Sequence, residues 1–216
     1  LVVSCQARPD NPLHGPVFMT AMARAAEAGG AIGLRINGPE DIAAVRVASE
    51  LPIIGLLKRS YPDSPIEITP TYADAAAIAA ARADVIAIDA TGRRRPDGET
   101  LEALIARIHD NLGLPVLADC AGVDDALAAA KFGADAVAST LSGYLDRSVP
   151  PPDDPDLEMI LKLAPRCPVP VIAEGRFKNP DQVAAALRAG AHAVVVGTAI
   201  TNPREITRLF AEATRR

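Results

Sequence analysis

Short apolar runs and longer, Ala-rich amphipathic stretches alternate eight times along this 216-residue chain. The apolar runs are Leu1–Cys5, Ala31–Ile36, Ile53–Lys58, Asp84–Asp89, Pro115–Asp119, Ala134–Ser139, Val169–Glu174 and Ala191–Gly197. Each is followed by a helical stretch: Val17–Ala28, Pro39–Glu50, Thr71–Arg82, Glu99–Asn111, Asp124–Phe132, Asp156–Ala164, Pro180–Ala189 and Pro203–Thr214. Strand and helix in strict alternation require parallel strands joined by right-handed crossovers. Eight such units are the number that closes the sheet on itself. The expected fold is therefore α/β, a single (β/α)8 TIM barrel occupying residues 1–216 as one domain. The length agrees, since such barrels begin at about 200 residues, and a second independent core would be cramped. The rival architecture is an open doubly wound sheet, but its diagnostic GxGxxG after the first strand is absent.

A recurring junction supports the barrel. A helix ends, a small residue follows, and a strand starts at once, as in Ala28-Gly29-Gly30-Ala31, Arg82-Ala83-Asp84, Phe132-Gly133-Ala134-Asp135 and Arg188-Ala189-Gly190-Ala191. Glycine accepts the left-handed backbone of a helix C-terminus and so permits an abrupt return to the sheet. The connections after the strands are longer and more polar: Gln6–Pro16, Arg59–Pro70, Ala90–Gly98 and Thr140–Asp154. That asymmetry assigns the functional face to the strands' carboxyl ends. Aromatics make up 3% of the chain and Trp is absent. The core must then be built from Ala, Val, Ile and Leu.

Charge and cysteine usage exclude several classes. The formal net charge is −5, with both signs interspersed, which argues against a nucleic-acid partner. Cys5, Cys120 and Cys167 are odd in number and form no CxxC pair. They read as reduced thiols in a cytoplasmic protein. No apolar run reaches the roughly 18 residues of a membrane span, so no membrane partner is expected. Leu1–Cys5 carries no basic n-region and reads as a strand rather than a targeting peptide. His14, His109 and His192 show no metal-ligand spacing, and no metal site is expected.

The strand ends carry Gln6, Arg35, Lys58, Asp89, Asp119, Ser139, Glu174 and Gly197-Thr198. An Asp at such a place often only caps a helix or ties down its loop. The set is more telling than its members, because ionisable groups from different strands would meet at one mouth. Lys58 closes the apolar run Ile53-Ile54-Gly55-Leu56-Leu57. Desolvation or a neighbouring cation would lower its pKa, which suits a general base or a carbonyl-attacking nucleophile that forms a Schiff base. Glu174 could orient a hydroxyl, pair with Lys58, exchange protons itself, or simply bridge to Arg176. Gly175 and Gly197 follow strands seven and eight, where barrels frequently bind phosphate on backbone N–H groups. Thr198-Ala199-Ile200-Thr201 could form the short extra helix of such a site. The run Arg93-Arg94-Arg95 reads as a solvated or salt-bridged loop, or as a guide for an anionic substrate. Cys5 and Cys120 read as small buried thiols rather than catalytic ones.

Taken in order, these pieces resemble the N-acetylmannosamine-6-phosphate 2-epimerase family. The resemblance rests on Val3-Ser4-Cys5-Gln6-Ala7, Gly33-Leu34-Arg35, Ile54-Gly55-Leu56-Leu57-Lys58-Arg59, Ile68-Thr69-Pro70-Thr71, Ile88-Asp89-Ala90-Thr91, Leu117-Ala118-Asp119-Cys120, Ile172-Ala173-Glu174-Gly175-Arg176 and Val196-Gly197-Thr198-Ala199-Ile200-Thr201-Asn202-Pro203. It implies an isomerase of amino-sugar and sialic acid catabolism that inverts C2 of an N-acetylhexosamine 6-phosphate. On that resemblance Lys58 and Glu174 are the catalytic pair. Gln6, Arg35, Asp119, Gly175, Arg176, Gly197 and Thr198 are the substrate-binding residues. No cofactor or metal is implied, and the expected partner is a small phosphosugar. Two other readings remain beside it: a Lys-dependent phosphosugar aldolase, and a non-catalytic phosphosugar-binding barrel. The Ala-rich outer helices could pair in a homodimer.

Overall fold

The computed structural model describes residues 1–146 and 148–215. Eight parallel strands close into a barrel in chain order: β1 (Val2–Cys5), β2 (Gly33–Asn37), β3 (Ile53–Leu56), β4 (Val85–Asp89), β5 (Val116–Asp119), β6 (Ala136–Ala138), β7 (Val171–Glu174) and β8 (Ala193–Val196). The seam forms where Val2 and Val3 pair with Val195 and Val196. Outside lie α1 (Pro16–Ala28), α2 (Pro39–Ala48), α3 (Tyr72–Ala80), α4 (Leu101–Leu112), α5 (Val123–Lys131), α6 (Leu157–Leu163) and α7 (Pro180–Arg188). A four-residue turn of helix, α8 (Thr198–Thr201), separates β8 from α9 (Pro203–Ala213).

Sequence chemistry fixes where the helices begin. Proline occupies the first turn of α1, α2, α7 and α9, where its missing N–H costs nothing. Thr71 and Asp74 form a reciprocal capping box at the start of α3. Thr100, Asp156, Asn179 and Asn202 accept backbone N–H bonds at the starts of α4, α6, α7 and α9.

Two cores share the sheet, because successive side chains on a strand point to opposite faces. The outward row, including Val3, Leu34, Ile36, Ile86, Ile88, Val137 and Val194, packs under the helices. The inward row, including Val2, Leu56, Ala87, Leu117, Ala138, Ile172 and Val195, fills the barrel. Gly55 lies in the outward row, where a Cβ would stand 2.4 Å from Ile78 Cγ2 and 2.6 Å from Ala83 Cβ. The glycine lets α3 sit directly on β3.

The abrupt returns to the sheet are as expected, with one variation. Gly30, Gly133 and Gly190 hold φ of 93°, 100° and 104°, while Arg82 takes φ 72° without being glycine. Two of these junctions end in an aspartate that ties neighbouring strands together. Asp84 Oδ2 accepts from Ile53 N–H at 2.7 Å, and Asp135 Oδ2 from Val116 N–H at 2.7 Å. Arg46 pairs with Asp84, and His109 with Asp135 at 2.9 Å. These pairs belong to the face opposite the site.

The strands are shorter than the apolar runs that mark them. Lys58 lies beyond the end of β3, bridged to Ile68 in an antiparallel pair. Leu57 and Thr69 exchange bonds there: Thr69 N–H donates to Leu57 O at 2.8 Å, and Leu57 N–H to Thr69 Oγ1 at 3.1 Å. The segment around Ile68 is wedged between the ends of β3 and β4, which leaves those strands paired over only Ile54–Gly55.

Candidate active site

Extending the inward row by one step at the carboxyl ends reaches Ser4, Arg35, Lys58, Asp89, Asp119, Thr140, Glu174 and Gly197. Most of the residues singled out from sequence thus converge on one mouth. At its centre lies the Arg35 guanidinium, 1% exposed, which forms a fork with Asp119: Nη1 to Oδ1 at 2.9 Å and Nη2 to Oδ2 at 2.6 Å. Nη1 also donates to Glu174 Oε2 at 2.7 Å. One buried cation therefore serves two carboxylates. Such a cluster is costly to desolvate and is stable only when each charge is paired.

The electrostatics follow from that crowding. Burial, reinforced by the charge of Asp119, raises the Glu174 carboxyl from 4.5 to about 7, although Arg35 and Lys58 pull the other way. Burial first, and the Arg35 charge second, push the Lys58 amine below its ordinary range. Lys58 is itself exposed at the open mouth, so its amine is only partly desolvated. Its backbone is fixed from the neighbouring strand, where Asn37 Oδ1 accepts the Lys58 N–H at 2.8 Å. A carboxyl that titrates near neutrality beside an amine with a lowered pKa is an arrangement suited to moving protons at pH 7.

Gln6 Nε2 donates to Ser4 Oγ at 2.8 Å, which leaves Gln6 Oε1 buried without a partner among the described residues. Arg35 Nε is in the same state. Buried polar atoms of this kind ordinarily carry a partner. The glycine end is also assembled as the sequence suggests. Gly175 holds φ 111°, and Gly197 leads directly into α8. A Cβ on Gly197 would stand 3.3 Å from Ser4 Cβ. Thr201 Oγ1 fastens α8 to β1 by donating to Ser4 O at 2.8 Å. Thr198 is exposed at the start of that turn.

Other residues have structural positions. The Arg176 side chain turns away from Glu174. It donates to Ser142 O and, at 2.7 Å, to Asp154 O, and it stacks on Tyr144, clamping the loop between β6 and α6. The Arg176 backbone, at φ 62°, continues the turn begun by Gly175. Asp89 is occupied by its own loop, bonded by Thr91 and by Arg93 at 2.6 Å. Arg95 is buried and donates to Pro70 O and Asp89 O. Arg93 and Arg95 thus tie the loop together, and Arg94 is exposed. Ser139 Oγ donates to Glu174 O at 2.9 Å and accepts Glu174 N–H at 3.0 Å, so it holds β7 against β6. Burial pushes the Cys5 thiol up to about 12 and the Cys120 thiol well above its ordinary range, so neither is a nucleophile at neutral pH.

Sequence reasoning overlooked Thr140. Its hydroxyl donates to Asp119 Oδ1 at 2.5 Å. The available signal was strand parity: Ala136, Ala138 and Thr140 share one face.

Fold and site together define a (β/α)8 barrel with a paired, partly desolvated ionic cluster at the end where barrels carry their chemistry. Residues 19–216 match the family described as "Putative N-acetylmannosamine-6-phosphate epimerase", and the chain belongs to that family. It is 46% identical over 97% of its length to a "Putative N-acetylmannosamine-6-phosphate 2-epimerase" of Caldanaerobacter subterraneus subsp. tengcongensis, covering 89% of that protein. It is 48% identical over its full length to a protein of the same name from Cutibacterium acnes, covering 93% of it. The solved structure of the N-acetylmannosamine-6-phosphate 2-epimerase from Clostridium perfringens superposes with a TM-score of 0.94 at 40% identity, over 98% of this chain and 92% of that one. The thiamine phosphate pyrophosphorylase of Pyrococcus furiosus, at 17% identity and a TM-score of 0.62 over 96% of this chain and 89% of that one, shares the fold alone.

Proposed function

We infer that this protein is an epimerase that interconverts N-acetylmannosamine 6-phosphate and N-acetylglucosamine 6-phosphate by removing and returning the proton at C2. The observation that carries the chemistry is the placement of Lys58, with its lowered amine pKa, beside Glu174, with its raised carboxyl pKa, around the buried Arg35 charge. In the open-chain sugar, C2–H is acidified by the C1 aldehyde. Neutral Lys58 takes that proton, and the electron pair moves onto O1 as an enolate. The Arg35 charge stabilises the enolate electrostatically. Return of a proton to the opposite face of C2, with Glu174 as the group that exchanges protons or orients the sugar, gives the other epimer.

In this reading Gln6 Oε1 accepts a hydrogen bond from the sugar, and Asp119 holds its polar groups as well as pairing Arg35. The phosphate lies against Gly175, the Arg176 backbone, Gly197 and Thr198, at the turn after β7 and the start of α8. The route uses no cofactor or metal. We place the protein in the cytoplasm, in keeping with three free thiols, and no described helix is long and apolar enough to cross a membrane.

We also propose a homodimer. Helix α9 has no buried residue, and it exposes Leu209 and Phe210 on one side while Arg208 pairs with Glu205 and Glu212 on the other. A second copy of the chain is the partner that would cover that apolar side.

The test of the activity is NMR of N-acetylmannosamine 6-phosphate with the protein in D2O. The expected result is the gluco product carrying deuterium at C2. No exchange at micromolar enzyme would overturn the assignment. Borohydride separates the aldolase reading, because only a Schiff base would be trapped covalently on Lys58. A non-catalytic binder would leave C2 unlabelled.

A further inference from the structure

Directly after Glu174 the chain places two residues in succession at positive φ, Gly175 at 111° and Arg176 at 62°. Glycine takes such a backbone freely, whereas arginine does so at a cost. A non-glycine residue held there is held by its surroundings. Here the side chain of Arg176 supplies the hold. Its Nη1 donates to Ser142 O, its Nε donates to Asp154 O at 2.7 Å, and the guanidinium lies 5.3 Å from the centre of the Tyr144 ring. Ser142 and Asp154 lie near the two ends of the loop between β6 and α6, so one planar group bridges the neck of that loop. Ser142 Oγ closes the same neck by donating to Asp156 Oδ2 at 2.6 Å. Gly143 makes room for the bridge, because a Cβ there would stand 2.7 Å from Pro152 Cδ and 3.4 Å from Arg176 Nη1. The turn is also fixed along the chain. Ser139 holds the Glu174 backbone ahead of it, and Phe177 is buried behind it. Between these fixings the backbone N–H groups of Gly175 and Arg176 make no hydrogen bond among the described residues. The side chain is spent on the loop while the main-chain donors stay free, and successive free donors on such a turn suit an anion.

We propose that the Arg176 side chain is a positioning group for the phosphate. By gripping both ends of the loop between β6 and α6, it keeps its own backbone, and with it the Gly175–Arg176 turn, in the shape that receives the phosphoryl oxygens. The guanidinium itself does not touch the substrate. The inference deepens the epimerase reading and rests on its placement of the phosphate at this turn. The grip needs two arms, because Nε and Nη1 serve carbonyls on different parts of the chain. A lysine ammonium presents all its donors from one atom. Arg176→Lys therefore keeps the charge and loses the bridge. Arg176→Gly loses both, but glycine accepts φ 62° without strain, so the turn can still form and the fold is kept.

The experiment titrates inorganic phosphate into the substrate-free parent, Arg176→Gly and Arg176→Lys, followed by 31P NMR. The expected result is phosphate binding about tenfold weaker in both variants than in the parent. In turnover, KM for N-acetylmannosamine 6-phosphate should rise about tenfold in both, with kcat within about threefold of the parent. A parent that binds no phosphate removes the subsite and the proposal with it. Parent-like phosphate binding in Arg176→Gly overturns the proposal. Parent-like binding in Arg176→Lys alone also overturns it, since the charge and not the grip would then serve the phosphate. A fall in kcat at constant KM would mean only a loss of folded enzyme, and is a third overturning result. If the parent shows no C2 exchange while phosphate binding still weakens in both variants, the epimerase reading fails and the role of Arg176 stands.

Discussion

The two groups assigned to the chemistry, Lys58 and Glu174, have pKa values displaced toward neutrality from opposite sides. Glu174 is displaced first by loss of water, against the pull of Arg35 and with the help of Asp119, and Lys58, exposed at the mouth, by partial desolvation and the charge of Arg35. Lys58→Ala removes only an amine whose stem lies at the open mouth. It should leave the fold and phosphosugar binding intact while lowering C2 exchange by about 10²–10⁴-fold. Deuterium incorporation and ligand titration check this together, and full exchange in the variant would remove Lys58 from the role of base. Glu174 also leaves a mark on stability. Its folded carboxyl binds a proton up to about pH 7, whereas in the unfolded chain it releases it near 4.5. The native state therefore holds the extra proton in that window. Stability at this site is full below the lower value and falls as pH rises through the upper one, by at most roughly 3 kcal/mol. Glu174→Gln should flatten that slope, so thermal melts should show a larger gain over the parent at pH 8 than at pH 5. Equal differences at both values would contradict the raised carboxyl. At this scale the sequence was informative about chemistry and poor about partners. Arg35, Asp119 and Glu174 are visible as polar ends of apolar runs, but that one guanidinium serves both carboxylates depends on barrel closure. Thr140 looks like any threonine in a polar loop until strand parity is followed past Ala138.

Elements were legible because periodicity and turn chemistry agree. All eight strands and the eight main helices occur in the expected order, with no end displaced by more than two residues. Those ends moved for physical reasons. The β6 run reads as Ala134–Ser139, but Ser139 spends its hydroxyl on Glu174 and the ladder stops at Ala138. The β3 run reads through Lys58, but the segment near Ile68 takes over its pairing. Both departures occur at the site end, where strands give way to residues that serve the mouth. Gly55 is the element-scale feature with the sharpest consequence. A methyl group there would meet Ile78, Ala83 and Ile42 at 2.4, 2.6 and 3.0 Å. Gly55→Ala should force α3 away from β3 and cost about 1–3 kcal/mol in urea unfolding. Because β3 carries Lys58 at its end, C2 exchange should fall as well. A variant of unchanged stability would mean that α3 yields freely.

At the scale of the whole molecule, the barrel separates its duties by face. The contacts of Arg46 with Asp84 and of His109 with Asp135 stitch strand starts to helix ends, while Arg35, Asp119 and Glu174 occupy the opposite end. The outer surface is less finished. Along α9 every residue keeps some exposure, and Phe210 is 73% exposed. Sedimentation should give a particle of about twice the 22.5 kDa chain mass. Phe210→Glu should shift it toward the monomer, since a charge at an apolar contact is strongly disfavoured. A parent protein that sediments as a monomer would remove the dimer.

The seam between β1 and β8 joins the earliest strand of the chain to the latest, with Val2 beside Val195 and Val3 beside Val196. A ribosome releases Val2 long before Val195 exists, so β1 waits with one unpaired edge until β8 has been made. The Arg35 guanidinium waits too, for Asp119 and then for Glu174, before its charge can be buried at low cost. Closing loops of that span is slow, and open sheet edges invite aggregation. The same geometry that brings four strands to one catalytic mouth thus defers the mouth to the end of folding, and makes completion of β8 the step that turns a nascent sheet into a working protein.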